Sequence, residues 1–243
     1  MKSSVNSIIS LLFIIALSGC NTPIKKANDI KASDTAALTQ NTNLLNFQAP
    51  EVIDSSQYVI YPLIKEKSTE ENYGSSSSGR AATYWNLVFY NPSTKEYHLL
   101  DTSKMILSSY NNGGTSSTDD KATGKMGFAD KFIFYSVIKT DFNKDNTLDE
   151  DDPKYLYISD KSGYNFKQIS PDNLSVTGWY AVKGTSKVII HTIKDSNNDK
   201  KFDQDDEQVP FVYDLAKGGK AEQIFSKDFK ENTKKLYEKL WHK

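Results

Sequence analysis

Cysteine is almost missing from this chain: there is 1 in 243 residues, beside 3 histidines. A disulfide scaffold needs paired thiols, and a zinc site needs several Cys or His ligands, so both are excluded. An excess of one charge is lacking too. Lys+Arg 30 against Asp+Glu 31 gives a formal net charge of −1, so no basic field advertises nucleic acid, and none is expected as a partner. Only one long apolar run occurs, Ile8 to Leu17, which excludes a polytopic helical membrane protein. Gly-rich phosphate loops, a Gly-x-Ser-x-Gly elbow and a His-Glu-x-x-His pair are absent as well, and no catalytic activity is expected. His98, His191 and His242 are expected to pack or lie on the surface. What the chain does have is aromatic bulk: hydrophobic residues reach only 37%, yet Tyr 14 and Phe 12 supply core volume and favour β structure.

The start of the chain reads as an address. Lys2 precedes the apolar run, which is too short to span a bilayer and ends in Leu17-Ser18-Gly19-Cys20. Small residues just ahead of the lone cysteine resemble the lipobox of bacterial lipoproteins. That resemblance implies cleavage after a signal peptide of residues 1–19, and acyl chains on Cys20 that anchor the protein in a membrane. The expected location is the cell envelope. Asn21 follows the cysteine, which favours the outer membrane if the cell is Gram-negative. An ordinary signal peptide with an incidental cysteine is the competing reading. Residues 20–50 are rich in Asn, Thr, Ala and Lys and are expected to form a flexible tether.

The remaining residues, 51–243, form one expected domain that repeats a pattern of strand, Ile-Lys, polar loop, strand, turn and strand. It runs through Tyr58–Lys65, Leu87–Tyr90 and Tyr97–Leu100, and again through Phe132–Lys139, Tyr155–Ile158 and Phe166–Ile169. A third pass covers Val188–Lys194, Phe211–Tyr213 and Ala221–Ile224. A further strand, Val176–Val182, precedes the third unit, and Met105–Leu107 is a candidate for the second. The expected fold class is therefore all-β, with four-stranded antiparallel units near 51–103, 104–172 and 173–225. The run from Tyr155 to Ile169 (YLYISDKSGYNFKQI) resembles the blade repeat of TolB-type β-propellers. A propeller normally needs at least four blades, so three units imply either a smaller sandwich or barrel, or assembly of chains. The segment 226–243 places Phe229, Leu236, Tyr237, Leu240 and Trp241 on one side of a helix capped by Ser226. Such a helix is expected to cover a sheet edge or face; recruiting a partner is the alternative.

Two loops carry the sharpest signal. DFNKDNTLDEDD (141–152) and DSNNDKKFDQDD (195–206) each follow an Ile-Lys strand and share one register: Asp at 1, Asn at 3, Asp at 5, an apolar residue at 8, Asp at 9 and Asp at 12. This is the ligand spacing of an EF-hand or dockerin calcium loop. Calcium takes six to eight hard oxygens at about 2.3–2.6 Å, and a tight loop turns alternate side chains inward to supply them. The expected ligands are Asp141, Asn143, Asp145, Asp149 and Asp152 with the Thr147 carbonyl, and Asp195, Asn197, Asp199, Asp203 and Asp206 with the Lys201 carbonyl. Two Ca²⁺ ions are expected as cofactors. Position 6, usually Gly because φ is positive there, holds Asn146 and Lys200. Leu148 and Phe202 are expected to pack the loops onto the sheet. The competing reading is that acidic, Asn-rich loops merely solvate hairpin tips.

The function expected from these features is a calcium-binding, lipid-anchored envelope protein that is non-catalytic. It would bind a protein or glycan partner. A glycan-active hydrolase and a structural envelope component remain open alternatives. Tyr84, Trp85, Tyr90, Trp179 and Tyr180 could stack on sugar rings, although packing is the expected use.

Overall fold

A computed structural model describes residues 45–64, 84–111 and 127–241. The signal segment, Cys20, the tether as far as residue 44, and His242 lie outside the described residues. The strands are β1 (Asn46–Phe47), β2 (Glu51–Val52), β3 (Val59–Ile64), β4 (Tyr84–Tyr90), β5 (Tyr97–Leu99), β6 (Ile106–Asn111) and β7 (Phe132–Ile138). They continue with β8 (Lys154–Asp160), β9 (Lys167–Gln168), β10 (Ser175–Ala181), β11 (Lys187–Lys194), β12 (Glu207–Asp214) and β13 (Glu222–Gln223), before helix α1 (Lys227–Trp241). The fold is mostly antiparallel β-sheet with one helix after the last strand. Among the described residues no barrel or propeller closes, and no helix is long and apolar enough to cross a membrane.

Two sheets form. The larger has the order β1-β3-β4-β6-β7-β8-β9, with β2 also on β3 and β5 also on β4; the smaller has the order β10-β11-β12-β13. The expected units 51–103 and 104–172 are therefore not separate sheets: β4 and β6 meet through the single pair Tyr84↔Leu107. Ile60, Leu87 and Phe89 from one side pack with Leu107, Ile133, Tyr135 and Tyr155 from the other in one core. A second core joins Phe134, Leu156 and Ile158 to Trp179, Val188, Ile190 and Tyr213 of the smaller sheet.

Strands β7 and β8 feed both cores. In a strand successive side chains point to opposite faces. Ile133, Tyr135 and Val137 thus enter the first core while Phe134 enters the second, and Tyr155 and Tyr157 alternate with Leu156 and Ile158. That explains why the sequence FIFYSVI reads as a continuous apolar run instead of an alternating one. Phe134 stacks on Trp179 at 4.1 Å between ring centroids, which makes Trp179 a core residue and not a stacking platform for sugars.

Two local features depart from expectation. Asn46–Phe47 pairs with Leu63 and Ile64, so the sheet takes in residues assigned to the tether. Helix α1 buries none of its side chains, and Leu240 and Trp241 are 59% and 72% exposed. The helix is held at its start by the Ser226 Oγ cap on the Phe229 N–H (3.2 Å) and by a Lys230–Glu207 ion pair at 2.8 Å.

Gly163 sits in the turn after β8 at φ +80°, and a Cβ there would come within 2.5 Å of the Phe89 ring. Gly184 has φ +76° with open space around it. Gly184→Ala should therefore cost only the backbone strain of about 1 kcal/mol, and Gly163→Ala distinctly more, because a core aromatic must also move. Urea unfolding of the two variants side by side measures the difference.

Candidate metal centre

The loop 141–152 joins β7 to β8, and the loop 195–206 joins β11 to β12. Each therefore caps a hairpin of central strands, and the two hairpins lie in facing sheets. The backbone of the two loops is the same at its unusual positions. Positive φ occurs at position 4 (Lys144 +65°, Asn198 +62°) and at position 6 (Asn146 +69°, Lys200 +67°). Position 6 was expected; position 4 has no sequence signature, since Lys and Asn share it. Non-Gly residues in this region cost roughly 1 kcal/mol or more, and they stay only where neighbouring bonds hold them.

The acids supply those bonds. Asp141 accepts the N–H of Lys144 on Oδ1 (2.7 Å) and of Asn146 on Oδ2 (3.0 Å), and Asp195 Oδ2 accepts the Lys200 N–H (3.2 Å). The amide oxygens of Asn143 and Asn197 accept from Asp145 and Asp199, at 2.9 and 2.8 Å. Asp145 and Asp199 accept from Thr147 and Lys201, at 2.7 and 2.9 Å. Asp149 and Asp203 each accept from the residue two further on, at 3.0 Å. The two loops share these hydrogen bonds at positions 3, 5 and 9 and the bond from position 6 to position 1, and differ at position 4, whose N–H meets the position-1 carboxylate only in the first loop.

Position 12 is buried in both: Asp152 is 2% exposed and Asp206 8%. Each carboxylate ties the loop's two ends together. Asp152 accepts the N–H groups of Phe142 (2.7 Å) and Asp149 (3.2 Å); Asp206 accepts those of Ser196 (2.9 Å) and Asp203 (3.3 Å). The Ser196 N–H, with Asp203 and the Ser196 hydroxyl adding to it, holds the Asp206 carboxyl below the usual carboxylate range. A buried group kept ionised in this way remains an acceptor at neutral pH.

The loops also touch each other. Phe142 and Phe202 lie with ring centroids 5.0 Å apart, and Lys200 Nζ donates to the Asn143 carbonyl at 2.8 Å. Leu148 is buried as expected, and Phe202 lies against Phe142 of the neighbouring loop. The phenylalanine at position 2 of the first loop carries no periodicity, so its use as the contact was invisible in sequence.

Donor chemistry fits a hard cation. Asp195 Oδ1 is a buried carboxylate oxygen with no hydrogen-bond partner, and such an oxygen is costly unless a cation or water meets it. At its ligand positions each loop offers four aspartates, one Asn amide oxygen and a backbone carbonyl at position 7, all oxygen and no sulfur or imidazole, which suits Ca²⁺ over Zn²⁺. Among the described residues no group of three or more His, Cys, Asp or Glu is drawn together tightly enough to hold an ion by itself.

Elsewhere, a shallow depression of about 410 Å³ beside β8 is lined by Phe132, Ile158, Asp160, Asn165 and Phe166. Its one carboxylate, Asp160, is taken up by its own turn, accepting from Ser162, Tyr164 and Asn165. His98 is stacked between Phe89 (5.5 Å) and Tyr164 (4.2 Å), and its buried Nε2 has no partner. His191 is exposed. No family model, curated protein or solved structure matches the chain.

Burial lowers the His98 pKa, outweighing a hydrogen bond to the Ser162 backbone and the Asp160 charge, which raise it. The folded state therefore resists protonation there. Its contribution to stability is complete above the ordinary histidine value of about 6.5, and it is lost as pH falls through the depressed folded value. Between about pH 8 and 5.5 the urea midpoint of the native protein should drop further than that of His98→Phe. Equal drops would mean that this imidazole is not the group responsible.

Proposed function

We propose that this chain is a calcium-binding protein of the cell envelope, anchored through acyl chains on Cys20, whose β domain binds another macromolecule or braces the envelope without catalysing a reaction. The observation that carries the calcium reading is duplication. Two hairpin loops at matching places share the ligand register, the positive φ at positions 4 and 6, and a buried position-12 carboxylate with the same two N–H donors. Solvating tips would need none of these.

Calcium would supply positive charge where carboxylates crowd. Asp141, Asn143, Asp145, the Thr147 carbonyl, Asp149 and Asp152 would hold one ion. Asp195, Asn197, Asp199, the Lys201 carbonyl, Asp203 and Asp206 would hold the other. Because the flanks are strands and not the helix pair of a sensor, binding would brace the hairpins and open no groove. The blade-like repeat belongs to the same reading. Strands β6 to β9 and β10 to β13 each run in consecutive antiparallel order, which supports stacked four-stranded units. The anchor rests on the lipobox-like residues before Cys20, and the partner of the domain, protein or glycan, on its exported setting.

Sites of this extracellular type bind at about 10⁻⁴ to 10⁻³ M. At calcium tenfold above Kd, each site should add about 1.4 kcal/mol of stability. Titration calorimetry and thermal unfolding of metal-stripped protein test this. Two sites and a rise in melting temperature are expected; Asp141→Ala should remove one site and Asp195→Ala the other. Absence of both calcium heat and a melting shift in the native protein would refute the reading.

A further inference from the structure

The turn between β8 and β9 is bonded mostly to itself. Asp160 accepts the N–H groups of Ser162 (2.9 Å) and Tyr164 (3.0 Å) and the side-chain amide of Asn165 (2.9 Å), and its own N–H meets the Tyr164 carbonyl (2.9 Å). All of these bonds stay within residues 160–165, where Gly163 and Asn165 hold positive φ of 80° and 60°. Short-range bonds alone do not order such a turn in water, because fixing each residue costs about as much as a bond returns. Attachment to the rest of the domain decides the matter. Tyr164 lies flat on His98 of β5, with ring centroids 4.2 Å apart, and stands edge-on to Tyr58 at 6.4 Å. Gly163 backs onto the Phe89 ring, and the Ser56 hydroxyl donates to the Lys161 carbonyl at 2.8 Å.

His98 is the middle of that attachment. It stands directly opposite Phe89 across β4 and β5, so its ring is held between Phe89 on one face and Tyr164 on the other, with Tyr58 edge-on at 5.7 Å. Its Nε2 is buried and has no partner. A neutral imidazole can keep that nitrogen as a bare acceptor. Protonation would put an N–H and a positive charge there, and both then need an acceptor or water. Charged groups on the packed elements do not meet this need. Asp160 and the Ser162 backbone favour the cation, but burial outweighs them. Lys161 of the turn faces Asp54 and Asp130, Glu96 acts on Tyr164, and Tyr97 lies on the other face of β5.

We propose that His98 is a pH-sensitive pin: protonation of its imidazole releases the turn of residues 161–165 from β4 and β5 while both cores stay folded. β5 has 3 residues and β9 has 2, so the joint lies among the least anchored parts of the larger sheet, where local opening is easiest. Lifting the turn brings water to Nε2 without opening a core. The released form presents Tyr58, Phe89 and Tyr164, an aromatic surface hidden at neutral pH. Linkage sets the sign and the size. An imidazole that titrates freely in the open form and against burial in the closed one favours opening below its ordinary value of about 6.5. The opening constant should rise by up to about tenfold per pH unit until the closed form protonates as well.

Amide hydrogen exchange of the full chain, followed by NMR between about pH 7.5 and 5.5, tests the proposal once rates are corrected for the intrinsic effect of pH. The amides of Ser162, Gly163 and Tyr164 should lose protection by up to about tenfold per unit below about 6.5. Those of Tyr135 and Val137 in β7 should keep theirs. In His98→Phe, protection of the turn should not change over this range. Tyr164→Ala, at a position 44% exposed, should move the His98 titration, read from its ring protons, back toward the ordinary value. Turn protection that stays level in the native protein, or falls equally in His98→Phe, overturns the proposal. A native His98 titration at or above about 6.5 overturns it too, since the stacked rings would then be holding the cation. Loss of β7 protection in step with the turn also overturns it, in favour of unfolding of the whole domain.

Discussion

Strands β7 and β8 have no face left for solvent. Their odd positions fill one core and their even positions the other, and the sheets on both sides depend on them. A hairpin buried on both faces must put its polar connection at the rim, because a loop within either core would strand backbone N–H and C=O groups. The β11–β12 hairpin is buried on the face that carries Val188 and Ile190 into the second core, and its polar connection also lies outside that core. Face-to-face packing of the two hairpins brings their connecting loops side by side, and the Phe142–Phe202 contact follows from that. The site is thus a consequence of layer packing.

Crowding of like charge is what those loops must then resolve. In the protein alone, backbone N–H groups and the Asn143 amide turn toward the carboxylates, and Lys200 bridges to the first loop. Each N–H donor carries only a partial charge, and Asp195 Oδ1 finds none. A divalent ion would answer all the carboxylates of a loop at once. Contact between the loops means that ordering one would steady the other, through the paired rings and the Lys200–Asn143 bond.

Much of the strand framework was legible in the residues. β7 and β11 fall on their β-branched and aromatic runs because those runs satisfy local propensity and burial together. The acidic register was legible for a chemical reason: ligand spacing is fixed by the reach of side chains around one ion. What stayed hidden depended on partners distant in sequence. Nothing in the short Asn46–Phe47 segment foretells its pairing with β3, and the Tyr84↔Leu107 junction that merges two units is a single contact. The amphipathic pattern of α1 correctly gives a helix but not what it covers, since periodicity reports a face and is silent about its neighbour. The Phe142–Phe202 contact has no sequence signal, because it joins two loops distant in the chain.

Calcium in two coupled hairpin loops is the central claim, and diffraction from crystals grown in millimolar calcium tests it most directly. Anomalous maps should show two peaks, each ringed at about 2.3–2.6 Å by the oxygens of Asp141, Asn143, Asp145, Thr147 and Asp152, or of Asp195, Asn197, Asp199, Lys201 and Asp206. Well-ordered loops with no anomalous peak at either position would contradict it.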